Sequence, residues 1–239
     1  MLKAGTYIAL ALALLAGFAF SSPKAAAADV SASTVQVGGV SAALLKSGRP
    51  HGAIILLAGG DGRIGVGADG AIAVEGNQLV RTRTAYAARG FAVLVPDCCV
   101  DLAAAVAYMG QYGPVTVVGT SRGTQRAARG LAAGARPARL VLTSGFLSDA
   151  SGDSDNVVRI LGSPDALPPT LIVHHRHDEC NKTSPEGVKP FLDWAGGKAR
   201  VVWLDGGASE GNLCDAWAHH GFNGIDMQVV SAVASFAAR

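Results

Sequence analysis

The chain has 239 residues, of which 49% are hydrophobic and 16% are charged. This length and apolar content suffice for one globular domain with a full core. The sequence holds no long run of like charges, which argues against a nucleic-acid partner. Its formal net charge of +2 comes from the first segment: without Lys3 and Lys24, the 20 basic residues drop to 18, equal to the 18 acidic ones.

Residues 1–28 have the three-part pattern of a secretory signal peptide. A basic start, "MLK", precedes the apolar stretch "AGTYIALALALLAGFAF" and a small-residue exit, "SSPKAAAADV". The apolar stretch of about 17 residues is at the short limit for a membrane span, so a retained membrane anchor is the weaker alternative. The pattern predicts cleavage after Ala28, export to the periplasm or the cell exterior, and one mature domain over residues 29–239 with no membrane segment.

Strand and helix patterns then alternate along the chain. Short strands are predicted at "TVQVGGV" and "AALLKS", a strand buried on both faces at "GAIILLAGG", and a glycine-stopped helix at "NQLVRTRTAYAARG" (77–90). The remaining predicted strands are "FAVLVPD", "PVTVVGT", "ARLVLTSGFL", "PTLIVHHR" and "ARVVWLDGG", and the remaining helices are "DLAAAVAYMGQYG", "TQRAARGLAAG" and "GIDMQVVSAVASFAA". This alternation predicts an α/β fold with a mostly parallel sheet that helices cover on both faces.

One serine lies at a junction between a predicted strand and a predicted helix. Gly119, Ser121 and Gly123 form a G-x-S-x-G pattern inside "VVGTSRGT". A nucleophilic serine needs a sharp, strained turn that exposes its hydroxyl, and glycines on both sides leave room for that turn. The plain alternative is a serine in an ordinary turn.

With this motif in this context, the sequence resembles the α/β-hydrolase superfamily over residues 34–239. The resemblance implies a three-layer α/β-hydrolase fold with a minimal lid and a catalytic triad in the order Ser, acid, His. It implies that Asp178, after "LIVHHRH", is the acid, and that His220, in "WAHHGFNGID", is the base. The alternatives are His219 for the base and Glu179, Asp149, Asp153 or Asp155 for the acid.

The resemblance also assigns roles to the backbone around the nucleophile. The oxyanion hole of such an enzyme uses the N–H of the residue after the serine, here Arg122, and an N–H from the loop after the third strand. Gly60 is the expected second donor, with Gly59 and Asp61 as its neighbours.

The chain has four cysteines, and their spacing alone permits three full pairings. If the implied triad assembles, the acid loop and the base loop come together and bring Cys180 and Cys214 with them. A disulfide between these two is therefore expected, and export permits it. Cys98 and Cys99 are adjacent, and a bond between neighbouring cysteines is strained and rare, so free thiols or a partly buried pair are expected there.

Two further patterns resemble a metal site and a dinucleotide-binding site, but their details argue against both. "HHRHDE" is rich in metal-ligand residue types, but neighbouring strand residues face opposite sides, so no metal site is predicted. "GVGADG" (65–70) fits G-x-G-x-x-G but does not directly follow its strand, which favours a loop beside the active site over a dinucleotide site. For Asn77, Arg81 and Arg83 on the helix that follows, a solvated face is the default expectation, and the alternative is that they lean toward the pocket.

These features together predict a secreted, monomeric serine hydrolase without a cofactor, acting on a small-molecule or polymeric ester through an acyl-enzyme. The segment 148–169, where lids of this family are inserted, offers only one short apolar cluster, so a short or unhindered acyl group is expected. The alternatives are a thioesterase, amidase or peptidase with the same triad, or a non-catalytic binding protein on a hydrolase scaffold.

Overall fold

A computed structural model of the protein describes residues 1–2 and 29–239. The expected signal peptide therefore lies outside the described residues, apart from Met1 and Leu2. Within the described part, no helix combines the length and the apolar character that crossing a bilayer requires.

The described residues form one sheet of eight strands. The strands are β1 (Val30–Val37), β2 (Val40–Ser47), β3 (Gly52–Leu57), β4 (Phe91–Pro96), β5 (Val115–Thr120), β6 (Arg139–Thr143), β7 (Thr170–His175) and β8 (Ala199–Leu204). Their order across the sheet is β1-β2-β4-β3-β5-β6-β7-β8. β2 runs antiparallel to both β1 and β4, and all other neighbours are parallel.

Helices cover both faces of this sheet. They are α1 (Gln78–Arg81), α2 (Arg83–Ala87), α3 (Leu102–Met109), α4 (Arg122–Ala132), α5 (Val157–Leu161), α6 (Val188–Trp194) and α7 (Asp226–Ala237). Successive strand residues point to opposite faces, so Ile54 belongs to the core cluster that includes residues of α1, α2 and α7, while Ile55 belongs to the cluster that includes residues of α3 to α6. The result is two hydrophobic layers on a shared central sheet, and the predicted α/β class with helices on both faces is confirmed.

Three local predictions differ from the structure. The single helix expected over 77–90 is two short helices, because Thr82 leaves the helical region (φ −101°, ψ 3°) between them. The strand expected over "TVQVGGV" stops at Val37, since Gly38 and Gly39 have positive φ and turn the chain into β2. Helix α6 was not predicted at all, although Pro185 and the capping hydroxyl of Ser184 precede it.

Candidate active site

Ser121 lies on the sharp turn between β5 and α4. Its backbone angles, φ 52° and ψ −125°, lie outside the regions that residues with a side chain normally occupy. Its N–H donates to the carbonyl oxygen of Thr143 in β6 at 3.0 Å, which fixes the turn against the sheet. The residue lines a pocket of about 420 Å³ at the carboxyl edge of the strands.

The turn requires glycine on both sides of Ser121. A Cβ added to Gly119 would lie 2.5 Å from the carbonyl oxygen of Gly123. A Cβ added to Gly123 would lie 2.1 Å from the carbonyl oxygen of Leu57 at the end of β3. The two glycines of the motif therefore allow α4 to start close beneath β3 and β5.

Asp178 and His220 form a buried pair at the same edge of the sheet. His220 Nδ1 lies 3.1 Å from Asp178 Oδ2, and both residues are buried. The backbone N–H of Cys180 donates to Asp178 Oδ1 at 3.0 Å, which fixes the carboxylate. Because a carboxylate only accepts, Nδ1 of His220 carries the proton and Nε2 remains the basic nitrogen.

Ser121 and His220 are both wall residues of the same pocket. Within residues 29–239, no hydrogen bond joins Ser121 Oγ to His220. In ligand-free enzymes this contact is often long and tightens when the substrate binds. The structure thus places Ser121 and His220 at one pocket and joins His220 to Asp178, while Ser121 Oγ and His220 make no hydrogen bond.

Thr183 is a member of this cluster that the sequence did not indicate. Its Oγ1 donates to Asp178 Oδ2 at 3.0 Å and lies 2.9 Å from His220 Nδ1. The hydroxyl therefore accepts from the imidazole while it donates to the carboxylate. Thr183 is fully buried, so solvent does not compete for these bonds. A lone threonine in a loop matches no motif, which is why the sequence did not reveal it.

The loop that carries His220 is held from two sides. Ser144 Oγ donates to the carbonyl oxygen of His220 at 2.7 Å. The Arg81 guanidinium donates to the carbonyl oxygen of Gly221 at 2.7 Å and pairs with Asp226 at 2.9 Å. The side chain of Arg81 is only 13% exposed, so the expected solvated face is wrong for this residue.

Its two neighbours also differ from that expectation. Asn77 lines the Ser121 pocket, and its Oδ1 accepts from the N–H of Leu79 to cap α1. Arg83 is paired with Glu75 and is 17% exposed at its side chain. The face that carries Asn77 and Arg83 therefore has little contact with water. It lies between the apolar sheet and the loop that carries His220.

The loop after β3 carries the expected second oxyanion donor. Gly60 lines the Ser121 pocket, and Arg122 follows the serine directly as the first residue of α4. The Arg126 guanidinium donates to the carbonyl oxygens of Ala58, Gly59 and Gly60, the last at 3.1 Å. These bonds turn the carbonyls toward Arg126 and hold the loop next to the start of α4. Burial lowers the pKa of Arg126, and nearby Asp61 acts in the opposite direction.

No family model matches the sequence, and no curated protein matches it in sequence. Solved structures do match in three dimensions. The esterase domain of a Rhodothermus marinus protein has a TM-score of 0.62 at 15% identity, covering 88% of this chain and 99% of that one. A dienelactone hydrolase from Anabaena variabilis has a TM-score of 0.61 at 15% identity, with coverages of 89% and 97%. An esterase from Pyrococcus furiosus has a TM-score of 0.60 at 14% identity, with coverages of 92% and 94%.

The chain has the α/β-hydrolase fold. Within the α/β-hydrolase frame, Ser121 follows β5, Asp178 follows β7 and His220 follows β8. Because the carboxyl ends of parallel strands share one edge of the sheet, these three loops meet there.

The alternative acids and the alternative base make other contacts in this fold. The ring of His219 stacks on that of His175 with centroids 4.4 Å apart, and His219 Nδ1 lies 3.5 Å from a Glu179 carboxylate oxygen. The three other candidate acids are engaged in surface ion pairs: Asp149 with Arg159, Asp153 with Lys182, and Asp155 with Arg129. His220, which contacts Asp178, is the histidine that lines the Ser121 pocket.

His174 lies buried next to Asp178. Burial lowers the pKa of its imidazole, with the Asp178 carboxylate opposing that shift. His174 Nδ1 lies 3.1 Å from the carbonyl oxygen of His175, and His174 Nε2 lies 4.0 Å from Asp178 Oδ2. The buried His174 ring therefore fills the space next to Asp178. In the part of the chain that the structure describes, no three His, Cys, Asp or Glu side chains are grouped as a metal would require.

The glycine-rich loop 65–70 was expected beside the active site. In the structure it lies beside β1 instead. The N–H of Gly70 donates to Thr34 Oγ1 at 2.8 Å, and Thr34 Oγ1 donates to the carbonyl oxygen of Gly67. Asp97 accepts from the N–H groups of Ile64 and Val66 on the same loop. These bonds draw the loop toward the antiparallel end of the sheet.

Both cysteine pairs are bonded. Cys180 and Cys214 form a disulfide with Cα atoms 4.6 Å apart, which joins the acid loop to the base loop as expected. Cys98 and Cys99 also form a disulfide, with Cα atoms 3.1 Å apart across a cis peptide bond. The expectation of free thiols at these two positions is therefore wrong.

Replacing Cys180 and Cys214 with serine is expected to lower the free energy of unfolding by about 3 to 4 kcal/mol, because the bond closes a long loop in the unfolded chain. That loop spans 34 residues. Urea titration of the oxidised protein and of the double variant measures the difference. The matched control replaces Cys98 and Cys99, whose bond closes no loop. An equal loss in both double variants would contradict the loop-closure explanation.

Proposed function

We propose that the protein is a serine hydrolase that cleaves carboxylic esters through an acyl-enzyme. The proposal rests chiefly on one observation: Ser121, on its strained turn, shares a pocket with a histidine whose Nδ1 is held by Asp178 and Thr183. The esterases and the dienelactone hydrolase with the same fold support this class of reaction.

In this reaction His220 acts as the general base. Its Nε2 takes the proton from Ser121 as the serine oxygen attacks the ester carbonyl carbon. Asp178 stabilises the imidazolium that forms and keeps the ring in one tautomer. His220 then gives the proton to the departing alcohol, which leaves an acyl group on Ser121. Water, activated in turn by His220, releases the acid.

Backbone N–H groups stabilise the negative charge that develops on the carbonyl oxygen of the ester. The N–H groups of Arg122 and Gly60 are the proposed donors, and the positive end of α4 adds to their field. Arg126 makes the Gly60 donor rigid, because it binds three successive carbonyl oxygens of that loop. A donor fixed before the reaction needs no reorganisation as charge develops.

The surroundings of the pocket favour a short or unhindered acyl group. Segment 148–169 contains one α-helix, α5, which packs against α4. Of the described residues that line the Ser121 pocket, none comes from this segment, so the lid is minimal. Val74 and Trp217, which are 56% and 52% exposed, form an apolar rim instead.

A fluorophosphonate probe is expected to label the mature protein at a single serine, Ser121. The probe's phosphorus reacts only with an activated hydroxyl, so labelling separates an enzyme from a binding protein on the same scaffold. Mass spectrometry of the tryptic peptides locates the adduct. The control is heat-unfolded protein, which keeps the serine and loses the site. Absence of labelling in the folded protein would contradict the proposed function.

Among p-nitrophenyl esters, kcat/KM is expected to be highest for acyl chains of roughly two to six carbons. Each further methylene adds about 0.8 kcal/mol of binding only where a wall receives it, and this pocket has little wall beyond its rim. Activity should also show no jump at an oil–water interface. A steady rise of kcat/KM to twelve or more carbons would reveal a deep acyl tunnel and refute the open pocket.

We also propose that the enzyme is exported. Disulfides persist in oxidising compartments, and the Cys180–Cys214 bond at the proposed site agrees with that setting. The test is the N-terminal sequence of protein recovered from the periplasm or the medium. It is expected to begin at Asp29.

A further inference from the structure

One wall residue of the Ser121 pocket takes no part in the proposed chemistry. Gln78, the first residue of α1, lines this pocket together with Ser121 and His220. The residue is 1% exposed. Neither its Nε2 nor its Oε1 has a hydrogen-bond partner among the described residues.

This combination is unfavourable for folding. An amide that leaves water loses its hydrogen bonds to solvent, and here the protein supplies no replacement. A methionine has a similar length and would fill the same space without that loss. The neighbouring Asn77, by contrast, has a structural use, because it caps α1. Among the described residues, the amide of Gln78, a residue that lines the Ser121 pocket, is thus left with a free donor and a free acceptor.

Hydrogen-bond groups that are buried and unpaired until a ligand arrives favour ligands that can pair with them. Such a site discriminates strongly against an analogue that lacks the matching group, because the site's own groups then stay unpaired. A hydroxyl matches Gln78 well, since it accepts from the amide NH₂ and donates to the amide oxygen.

We propose that Gln78 is a specificity-determining residue that binds a hydroxyl group of the substrate, so that the preferred substrates are hydroxyl-bearing esters. This inference rests on the proposed ester hydrolase function. The apolar rim formed by Val74 and Trp217 receives the hydrocarbon part of such an ester, and Gln78 receives its hydroxyl.

The test compares matched esters that differ by one hydroxyl. On the acyl side these are p-nitrophenyl 3-hydroxybutyrate and p-nitrophenyl butyrate. On the alcohol side they are 2-hydroxyethyl butyrate and propyl butyrate. The wild-type enzyme is expected to prefer the hydroxylated member of at least one pair by roughly tenfold or more in kcat/KM. Equal kcat/KM within both pairs would overturn the inference, whatever the behaviour of any variant.

Gln78→Met then assigns the preference to this side chain. The variant is expected to bring the ratio of kcat/KM within the preferred pair close to one. The matched control is Gln228→Met on the exposed face of α7, which should leave that ratio as in the wild type. A ratio that survives in Gln78→Met would also overturn the inference.

The two hypotheses fail differently. If the wild type hydrolyses the esters and its Ser121 is labelled by the fluorophosphonate, but no hydroxyl preference exists, only the role of Gln78 is wrong. If the wild type neither hydrolyses any of the four esters nor reacts with the probe, the proposed function fails and the inference about Gln78 fails with it.

Discussion

Ser121→Ala and His220→Ala are each expected to lower turnover of a p-nitrophenyl ester by about 10⁴-fold or more. In the proposed mechanism, the serine variant lacks the nucleophile, and the histidine variant lacks the base that takes the serine proton. Asp178→Asn should cost less than either, because serine and histidine remain and Thr183 still contacts His220 Nδ1. Steady-state kinetics on the purified variants measures all three losses, with circular dichroism to verify that each is folded.

His219→Ala is the matched control for the base. This residue adjoins His220 in sequence, but its ring stacks on His175 and does not contact Asp178. The variant should retain most of the wild-type turnover and its reaction with a fluorophosphonate. An inactive His219→Ala together with a normal His220→Ala would show that the base is misassigned.

Gly123→Ala is expected to lower the free energy of unfolding by about 3 kcal/mol and to abolish most of the activity. The added Cβ would lie 2.1 Å from the carbonyl oxygen of Leu57 and 2.9 Å from that of Ala58. Both atoms belong to the backbone, so no side-chain rotation relieves the overlap, and β3 or the start of α4 must shift. That shift is expected to move the loop after β3, which carries Gly60, relative to Ser121. Thermal unfolding and ester kinetics on the same preparation measure the two effects.

Gly110→Ala is the matched control for this substitution. Gly110 follows α3 with φ −56° and ψ −23°, and a Cβ added there would meet open space. Alanine is the better helix former, so this variant should be as stable as the wild type or slightly more stable. If the two alanine variants unfold at the same temperature, the close packing around Gly123 is not essential.

The sequence predicted the fold well because its signals were local and repeated. Continuous apolar runs such as residues 53–57 identify strands buried on both faces, and their alternation with helical stretches identifies the layers. Predictions were weaker where tertiary contacts override local preference. Thr82 divides a stretch with regular helical spacing, and α6 is a short helix that becomes apparent only from its packing on the sheet.

In the candidate site, too, the local features were predictable from the sequence and the contacts between distant residues were not. The motif around Ser121 is visible in five consecutive residues, because the turn geometry is set by the glycines themselves. Thr183, Ser144 and Arg81 act on His220 or its loop from positions 37, 76 and 139 residues away in the chain. No spacing rule predicts such contacts, since they exist only after the strands are ordered in the sheet.

By itself, the sequence determined the layered α/β architecture, the strained turn at Ser121 and the order in which an acid and a histidine follow it. These depend on the pattern and the conformational range of neighbouring residues, which the chain carries locally. Only the tertiary structure decided that His220, and not His219, meets Asp178, and that the loop 65–70 lies beside β1. It alone showed that Gln78 lines the Ser121 pocket and that its buried amide has no hydrogen-bond partner within residues 29–239. Burial and pairing are properties of groups brought together from distant parts of the chain, so they come into existence only when the chain folds.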